Sequence, residues 1–191
     1  MILKIQDLIL GSSNQNKIKE YLSFGLDLKT QAIPDLREVN GSAMDVIIYK
    51  VLELNQDHVI LEDTSLEVDG AEIGVNAKWL MMELRTNPSF NGRKAYWNVY
   101  LGVKIGDKLS IMLSTIHGTI DQSRAENTAF GFDSVFVPDG TDKTLYELKI
   151  LNQKHLFSAR KKAIDKLIKN EIDLEFEVSL IPTWKGNYQQ E

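Results

Sequence analysis

The sequence predicts an α/β fold: a mixed central sheet flanked by helices, with a long antiparallel hairpin forming a second lobe. Three observations carry this expectation. Short apolar runs alternate with helical periodicity in the first part of the chain. Two β-rich stretches then meet at a two-residue turn. Near its end the chain returns to one helical pattern followed by one alternating pattern.

Leu8-Ile9-Leu10 reads as a short buried strand running into Gly11-Ser12-Ser13. Ile18, Tyr21 and Leu22 mark one face of a helix that starts near Asn14. Met44, Ile47, Ile48, Val51 and Leu52 fit the i, i+3, i+4, i+7, i+8 template, which predicts about three turns of amphipathic helix. His58-Val59-Ile60-Leu61 reads as a second buried strand that ends at the acidic Glu62-Asp63. Trp79, Leu80, Met82 and Leu84 predict another helix, closed by Thr86-Asn87-Pro88. Tyr96 to Ile105 and Lys108 to Ile120 are β-rich and alternating, and Gly106-Asp107 between them is a hairpin loop with glycine first. Ala163, Ile164, Leu167 and Ile168 mark a late helix. Ile172 to Leu180 alternates apolar and polar residues, the pattern of a half-buried strand, and the tail from Pro182 to Glu191 is expected to be loosely ordered. With no internal repeat or low-complexity linker, residues 1–191 are expected to form one domain of two lobes, in which 171–191 add a C-terminal strand and tail.

Composition narrows the function classes. A formal net charge of −5 argues against a nucleic-acid or anionic-membrane binder, which needs a basic surface. A free nucleotide is different, because a few local cations hold it on an acidic protein. The absence of cysteine excludes disulfides and thiolate metal sites. No apolar run reaches spanning length and the N-terminus lacks the zones of a signal peptide, so a cytoplasmic protein is expected.

Ser12-Ser13-Asn14-Gln15-Asn16-Lys17 lies where a strand gives way to a helix. Backbone N–H groups and the helix dipole make such a terminus an anion site, and Lys17 adds a full charge one turn in. An ordinary N-cap with a solvated lysine is the plainer reading of the same residues. Lys50 lies off the apolar stripe of its helix, about 130° from the stripe centre at 100° per residue, free to face a ligand or water. Glu62 and Asp63 are adjacent carboxylates, costly together unless a cation or separate orientations relieve the repulsion. Phe130-Gly131-Phe132-Asp133 sets two rings two apart, suited to stacking on a base or to a core turn.

Taken together, Ser12-Ser13-Asn14-Gln15-Asn16-Lys17, Leu61-Glu62-Asp63-Thr64, Phe130 to Gly140, Lys154 and Ser158-Ala159-Arg160 resemble the blocks of the inosine triphosphate pyrophosphatase (Ham1-like) family, in that family's order. The resemblance runs from about Leu8 to about Ala163. It implies hydrolysis of noncanonical purine nucleoside triphosphates (ITP, dITP, XTP) to the monophosphate and pyrophosphate, a Mg²⁺ cofactor, a homodimer, and an active-site cleft between the lobes. By the same resemblance Ser12, Asn14, Lys17 and Lys50 hold the triphosphate, and Glu38, Asp63 and Glu62 bind the metal. Asp63, Lys17 and Glu38 carry the catalysis, with Asp63 either a metal ligand or the base for the attacking water. Thr64, Phe130, Phe132, Asp133, Lys154, Ser158 and Arg160 complete the substrate site. An arginine donor and an aspartate acceptor suit the edge of a 6-keto purine, whereas adenine would set donor against donor.

The chain departs from the family pattern at four places. Ala159 stands where the family has histidine, Ser134 where it has proline, Ile73-Gly74 replaces Pro-Gly, and one extra residue lies between Leu148 and Lys154. The phosphate and metal residues are kept, so the hydrolytic expectation is firmer than the choice of base. The competing expectations are the same reaction on another modified nucleotide, or a nucleotide-binding module without turnover.

Overall fold

Three long strands carry the fold: β3 (Val59–Val68), β5 (Lys94–Ile105) and β6 (Lys108–Ile120). They sit in one mixed sheet with β1 (Ile9–Gly11), β2 (Lys29–Gln31) and β7 (Phe136–Pro138), in the order β2-β1-β3-β5-β6-β7. β4 (Ala71–Gly74) pairs with β3, and β8 (Leu174–Glu177) pairs with β6. The helices are α1 (Gln15–Ser23), α2 (Ala43–Leu54), α3 (Met81–Thr86), α4 (Leu145–Ile150) and α5 (Ala159–Lys169). The structure, a computed structural model, describes residues 3–75 and 80–189. Among these, no helix is long and apolar enough to cross a membrane. Trp79, read above as part of a helix, lies outside the described residues.

The chain divides into two compact units. The first comprises Met1–Asp63, Val99–Leu113 and Lys162–Glu191, and the second Thr64–Asn98 and Ser114–Lys161. The β5–β6 hairpin therefore gives its turn end to the first unit and its outer ends to the second, rather than forming a lobe of its own.

In the first unit β1 runs parallel to both β2 and β3, with Ile9 opposite Lys29 and Val59. Gly11 is needed at the end of β1 for space, since a Cβ there would stand 2.7 Å from Val59 Cγ1 and 2.8 Å from Leu61 Cδ2. Helix α2 is opened by a capping box, in which Ser42 and Asp45 satisfy each other's backbone N–H groups. Its apolar stripe is buried as the spacing predicts. Ile47, Ile48 and Val51 pack with Val59, Leu61, Tyr100, Leu109 and Ile111 into one core. In the second unit Trp97, Phe132 and Phe136 meet edge to face, with centroids 5.7 to 6.4 Å apart.

Several elements differ from the sequence reading. β3 does not end at Glu62-Asp63 but continues to Val68. Ser65 and Leu66 are buried there, and Asn98 of β5 donates to both Ser65 Oγ and Glu67 Oε1, so these polar residues find their partner on the neighbouring strand. On α1 the buried residues are Glu20 and Tyr21 while Leu22 is 50% exposed, because a polar contact of Tyr21 sets the face. Ile168 and Met82 are likewise exposed. The alternating stretch Ile172–Leu180 yields only the four-residue β8, antiparallel to β6 with Lys108 opposite Glu177. Side chains take over from the ladder at both ends: Asp173 accepts from Leu113 N–H at 2.7 Å, and Asp107 accepts from Ser179 N–H and Oγ–H at 2.8 Å. The tail is not loose either, since Tyr49 and the loop at 37–40 bond to it as far as Gln189.

The hairpin turn is tied to the first unit by Asp57, whose carboxylate accepts from Lys104 and from the Gly106 N–H at 3.1 Å. The hydrogen bond from Lys104, then that from Gly106, hold the Asp57 carboxyl below the ordinary carboxylate range. A lowered folded-state value gives stability that is present above the unfolded value of about 4 and is lost as pH falls through the folded one. Asp57→Asn should therefore lower Tm at pH 7 and make progressively less difference as the pH is taken below about 4. Equal Tm differences at neutral and acid pH would contradict this role.

Candidate functional site

The loop between β2 and α2, the middle of β3 and the polar side of α2 bring two carboxylates onto one ammonium. Lys50 Nζ lies 2.8 Å from Glu38 Oε1 and 3.2 Å from Asp63 Oδ1. Lys50 faces these groups because the apolar stripe of α2 is committed to the core, which leaves its opposite side toward them. Successive residues of a strand point to opposite faces, and Glu62 and Asp63 use this to part company. Asp63 meets Lys50 of α2, while Glu62 turns to α1. There Lys17 Nζ lies 3.3 Å from Glu62 Oε1, and Tyr21 donates its hydroxyl to Glu62 Oε2 at 2.9 Å. The three carboxylates expected at a metal thus do not gather as one cluster, and among the described residues no group of three such ligands does.

Burial sets the electrostatics. It raises the Asp63 carboxyl above the ordinary range even though Lys50 and Lys17 pull it down. For Lys50 burial works to lower the ammonium, but the attraction of Asp63 and Glu38 outweighs it and the net direction is upward. A raised carboxyl contributes stability at acid pH that is lost as pH rises through its folded value, so the ionised Asp63 is held at a cost in stability.

The turn before α1 is built around Asn14. Its side-chain oxygen caps the helix by accepting from Asn16 N–H at 3.0 Å and Lys17 N–H at 3.2 Å, and its own N–H donates to Ser12 Oγ. Ser12 N–H donates to Gln31 O of β2, which fixes the start of the turn. This places Ser12, Asn14 and Lys17 at the N-terminus of a nine-residue helix. The cap takes up the N–H groups of Asn16 and Lys17, so what remains for the anion-site reading is the helix dipole and the Lys17 ammonium.

The second unit holds the other group. Gly131 has φ of +57°, which lets the chain turn sharply between Phe130 and Phe132. Phe130 is half-buried, whereas Phe132 sits in the aromatic cluster with Trp97 and Phe136. Asp133 is buried against Lys154, with Nζ 2.6 Å from Oδ2. The Arg160 guanidinium carbon lies 5.9 Å from the ring centroids of both Phe130 and Trp97. Ser158 accepts from Lys161 N–H at the start of α5, and Ala159 is fully buried there. Ser134, in place of the family's proline, is buried and donates to Glu126 O. Thr64 follows Asp63 in β3 and is half-buried.

Three contributors were not read from the sequence. Tyr21 orients Glu62, and its position four residues after Lys17 puts both on one helical face, a signal that could have found it. Arg85 of α3 donates to Ala129 O at 3.1 Å and Gly131 O at 2.7 Å, so it holds the loop that carries Phe130. Trp97 is one residue in an alternating strand, and nothing in its neighbourhood in sequence marks it out.

Comparison with known proteins bears on this geometry. The model of the Ham1 family matches residues 8–170. The dITP/XTP pyrophosphatase of Hyperthermus butylicus is 26% identical over 175 residues, covering 84% of this chain and 92% of the relative. The inosine triphosphate pyrophosphatase of Scheffersomyces stipitis is 32% identical over 146 residues, covering 70% of this chain and 74% of the relative. Among solved structures, the Ham1 protein of Staphylococcus aureus superposes with a TM-score of 0.68 at 23% identity, covering 86% of this chain and 98% of the other. That last likeness is one of fold.

If Lys50 is what makes the buried Asp63 tolerable, Lys50→Met should destabilise the protein by about 3 kcal/mol at neutral pH, the scale of a broken buried ion pair. The loss should shrink toward acid pH, where Asp63 takes up a proton. Urea denaturation at the two pH values measures both, and an unchanged midpoint at neutral pH would contradict the pairing.

Proposed function

The chain belongs to the Ham1 family, and from that premise we propose which of its residues carry the chemistry. It is a nucleoside triphosphate pyrophosphatase, hydrolysing noncanonical purine nucleoside triphosphates such as ITP, dITP and XTP to the monophosphate and pyrophosphate. The observation that supports our residue assignment most directly is the convergence of Glu38 and Asp63 on a single cation, Lys50.

In this reading Ser12, Asn14 and the N-terminus of α1 donate to phosphate oxygens, and Lys17 and Lys50 offset their charge. Asp63 orients the attacking water and accepts its proton. Water attacks the α-phosphorus and pyrophosphate leaves. The donors suit Mg²⁺ in kind, because Glu38 and Asp63 bring two hard carboxylates to the Lys50 ammonium, and Mg²⁺ is commonly held by one or two carboxylates together with substrate phosphates. Glu38 and Asp63 are the residues that would hold it, and its chemistry there would be to neutralise charge on the phosphates. Glu62, turned toward Tyr21 and Lys17, keeps the Lys17 ammonium in position.

The base end falls to the second unit. Phe130, half-buried with the Arg160 guanidinium carbon 5.9 Å from its ring centre, offers a stacking ring, while Phe132 packs on Trp97. Arg160 donates to the 6-keto oxygen, and Asp133, held by Lys154, faces the N1 proton. Thr64 and Ser158 contribute further polar contacts to the substrate. Ala159 favours weaker discrimination than a histidine at the same place would give, since one hydrogen-bonding group is missing. A homodimer and a cytoplasmic location belong to the same proposal.

With Mg²⁺ and a panel of ITP, XTP, dITP, GTP, ATP and pyrimidine triphosphates, the protein should release pyrophosphate, fastest from the 6-keto purines. Asp63→Asn should keep the fold and lose rate by about 10²–10⁴-fold, the scale of general-base catalysis. Orthophosphate as first product, or an active Asp63→Asn variant, would overturn the assignment.

A further inference from the structure

The C-terminal segment beyond residue 170 lies outside the family match, yet it closes on the loop that carries Glu38. We propose that Tyr188 and Gln189 are positioning residues for the Glu38 carboxylate. This inference rests on the reading of Glu38 given above.

Glu38 sits in the stretch between β2 and α2, where neither helix nor ladder fixes its backbone. The tail supplies that restraint. Gln189 N–H donates to Glu38 O at 2.9 Å, its side-chain amide donates to Val39 O at 3.2 Å, and Asn40 N–H donates to Asn187 O at 2.9 Å. Val39 and Tyr188 form an antiparallel bridge between these bonds, and Val39 is almost fully buried beneath it. The Arg37 guanidinium lies 4.4 Å from the centre of the Tyr188 ring. One residue on each side of Glu38 is thus gripped by the tail, and so is its own carbonyl.

The same tail is fastened to the helix that carries the partner of Glu38. Tyr49 donates its hydroxyl to Pro182 O at 2.7 Å, and Trp184 packs on the Tyr49 ring with centroids 5.1 Å apart. Trp184 also donates to Asn187 O at 3.0 Å, which shapes the return toward the loop. Gly41 makes room for that indole, since a Cβ there would stand 2.8 Å from Trp184 Cη2. Tyr49 adjoins Lys50 in sequence. The tail therefore links the backbone of Glu38 to that of Lys50 from outside, and the 2.8 Å bond between their side chains closes the ring. A carboxylate held in this way keeps its geometry without relying on the ligand to order it.

The test uses full-length variants. Gln189→Pro removes the N–H that meets Glu38 O, Gln189→Ala keeps it, Tyr188→Ala removes the ring over Arg37, and Tyr188→Phe keeps that ring. Ser179→Ala is a control that loosens the same end of the chain at its contact with Asp107. Two readouts are taken on each: the Mg²⁺ concentration for half-maximal pyrophosphate release, and Mn²⁺ binding by electron paramagnetic resonance, with Tm as a check on folding. Gln189→Pro and Tyr188→Ala should weaken metal binding by about tenfold, the lower end for loss of a supporting contact. Their turnover should recover at saturating metal; Gln189→Ala, which gives up only the bond to Val39 O, should weaken binding less than Gln189→Pro, and Tyr188→Phe and Ser179→Ala should stay near wild type. Unchanged metal binding in both Gln189→Pro and Tyr188→Ala, while Glu38→Gln weakens it, would overturn the clamp and spare the Glu38 assignment. An equal loss in Ser179→Ala would overturn it as well, by showing general loosening. If Glu38→Gln itself leaves metal binding unchanged, the assignment of Glu38 fails and the clamp falls with it.

Discussion

One ammonium shared by two carboxylates sets the terms for the first unit. A carboxylate as buried as Asp63 costs several kcal/mol unless a cation meets it in good geometry. The chain meets that requirement with Lys50, and much of the local fold follows from bringing the two together. β3 must carry Asp63 inward, and α2 must bury its apolar stripe so that Lys50 emerges on the other side. The loop before α2 must then bring Glu38 to the same nitrogen. Glu62, next to Asp63 but on the opposite face, is settled by a separate set of partners from α1. Two adjacent carboxylates are thus parted, Asp63 toward Lys50 and Glu62 toward Lys17 and Tyr21.

The second unit solves a related problem with aromatic surface. Asp133 is buried against Lys154, and the cations of Lys154 and Arg160 both lie within 6 Å of the Trp97 ring centre. Large rings supply packing and a negative face for cations that would otherwise be expensive to bury. Arg85 then fixes the loop that presents Phe130 by taking two of its carbonyls. Ser134 and Ala159, two of the departures read in the sequence, both fall in the second unit.

Patterns with a period were legible in the sequence, and contacts without one were not. The α2 stripe, the Gly106-Asp107 turn and the β1-to-α1 loop each follow from local chemistry, and each stands where the spacing put it. The end of β3 was misread because two acidic residues looked like a terminus, when partners far along the chain keep the strand going. β8 is shorter than its alternation because Asp173 and Asp107 capture its ends, and the tail is ordered by Tyr49 and by the 37–40 loop. None of these contacts leaves a mark on the spacing of nearby residues. At the site, Glu38, Lys50 and Asp63 were named from the resemblance and do converge, while Tyr21, Arg85 and Trp97 act through neighbours and carry no motif.

The central claim is that the carboxylate and lysine group of the first unit directs water to the α-phosphorus. Turnover of ITP in ¹⁸O-enriched water, with mass analysis of both products, tests it most directly. The label should appear in the nucleoside monophosphate, with pyrophosphate unlabelled. Label in the pyrophosphate, or in orthophosphate released as the first product, would show attack at another phosphorus and contradict the account.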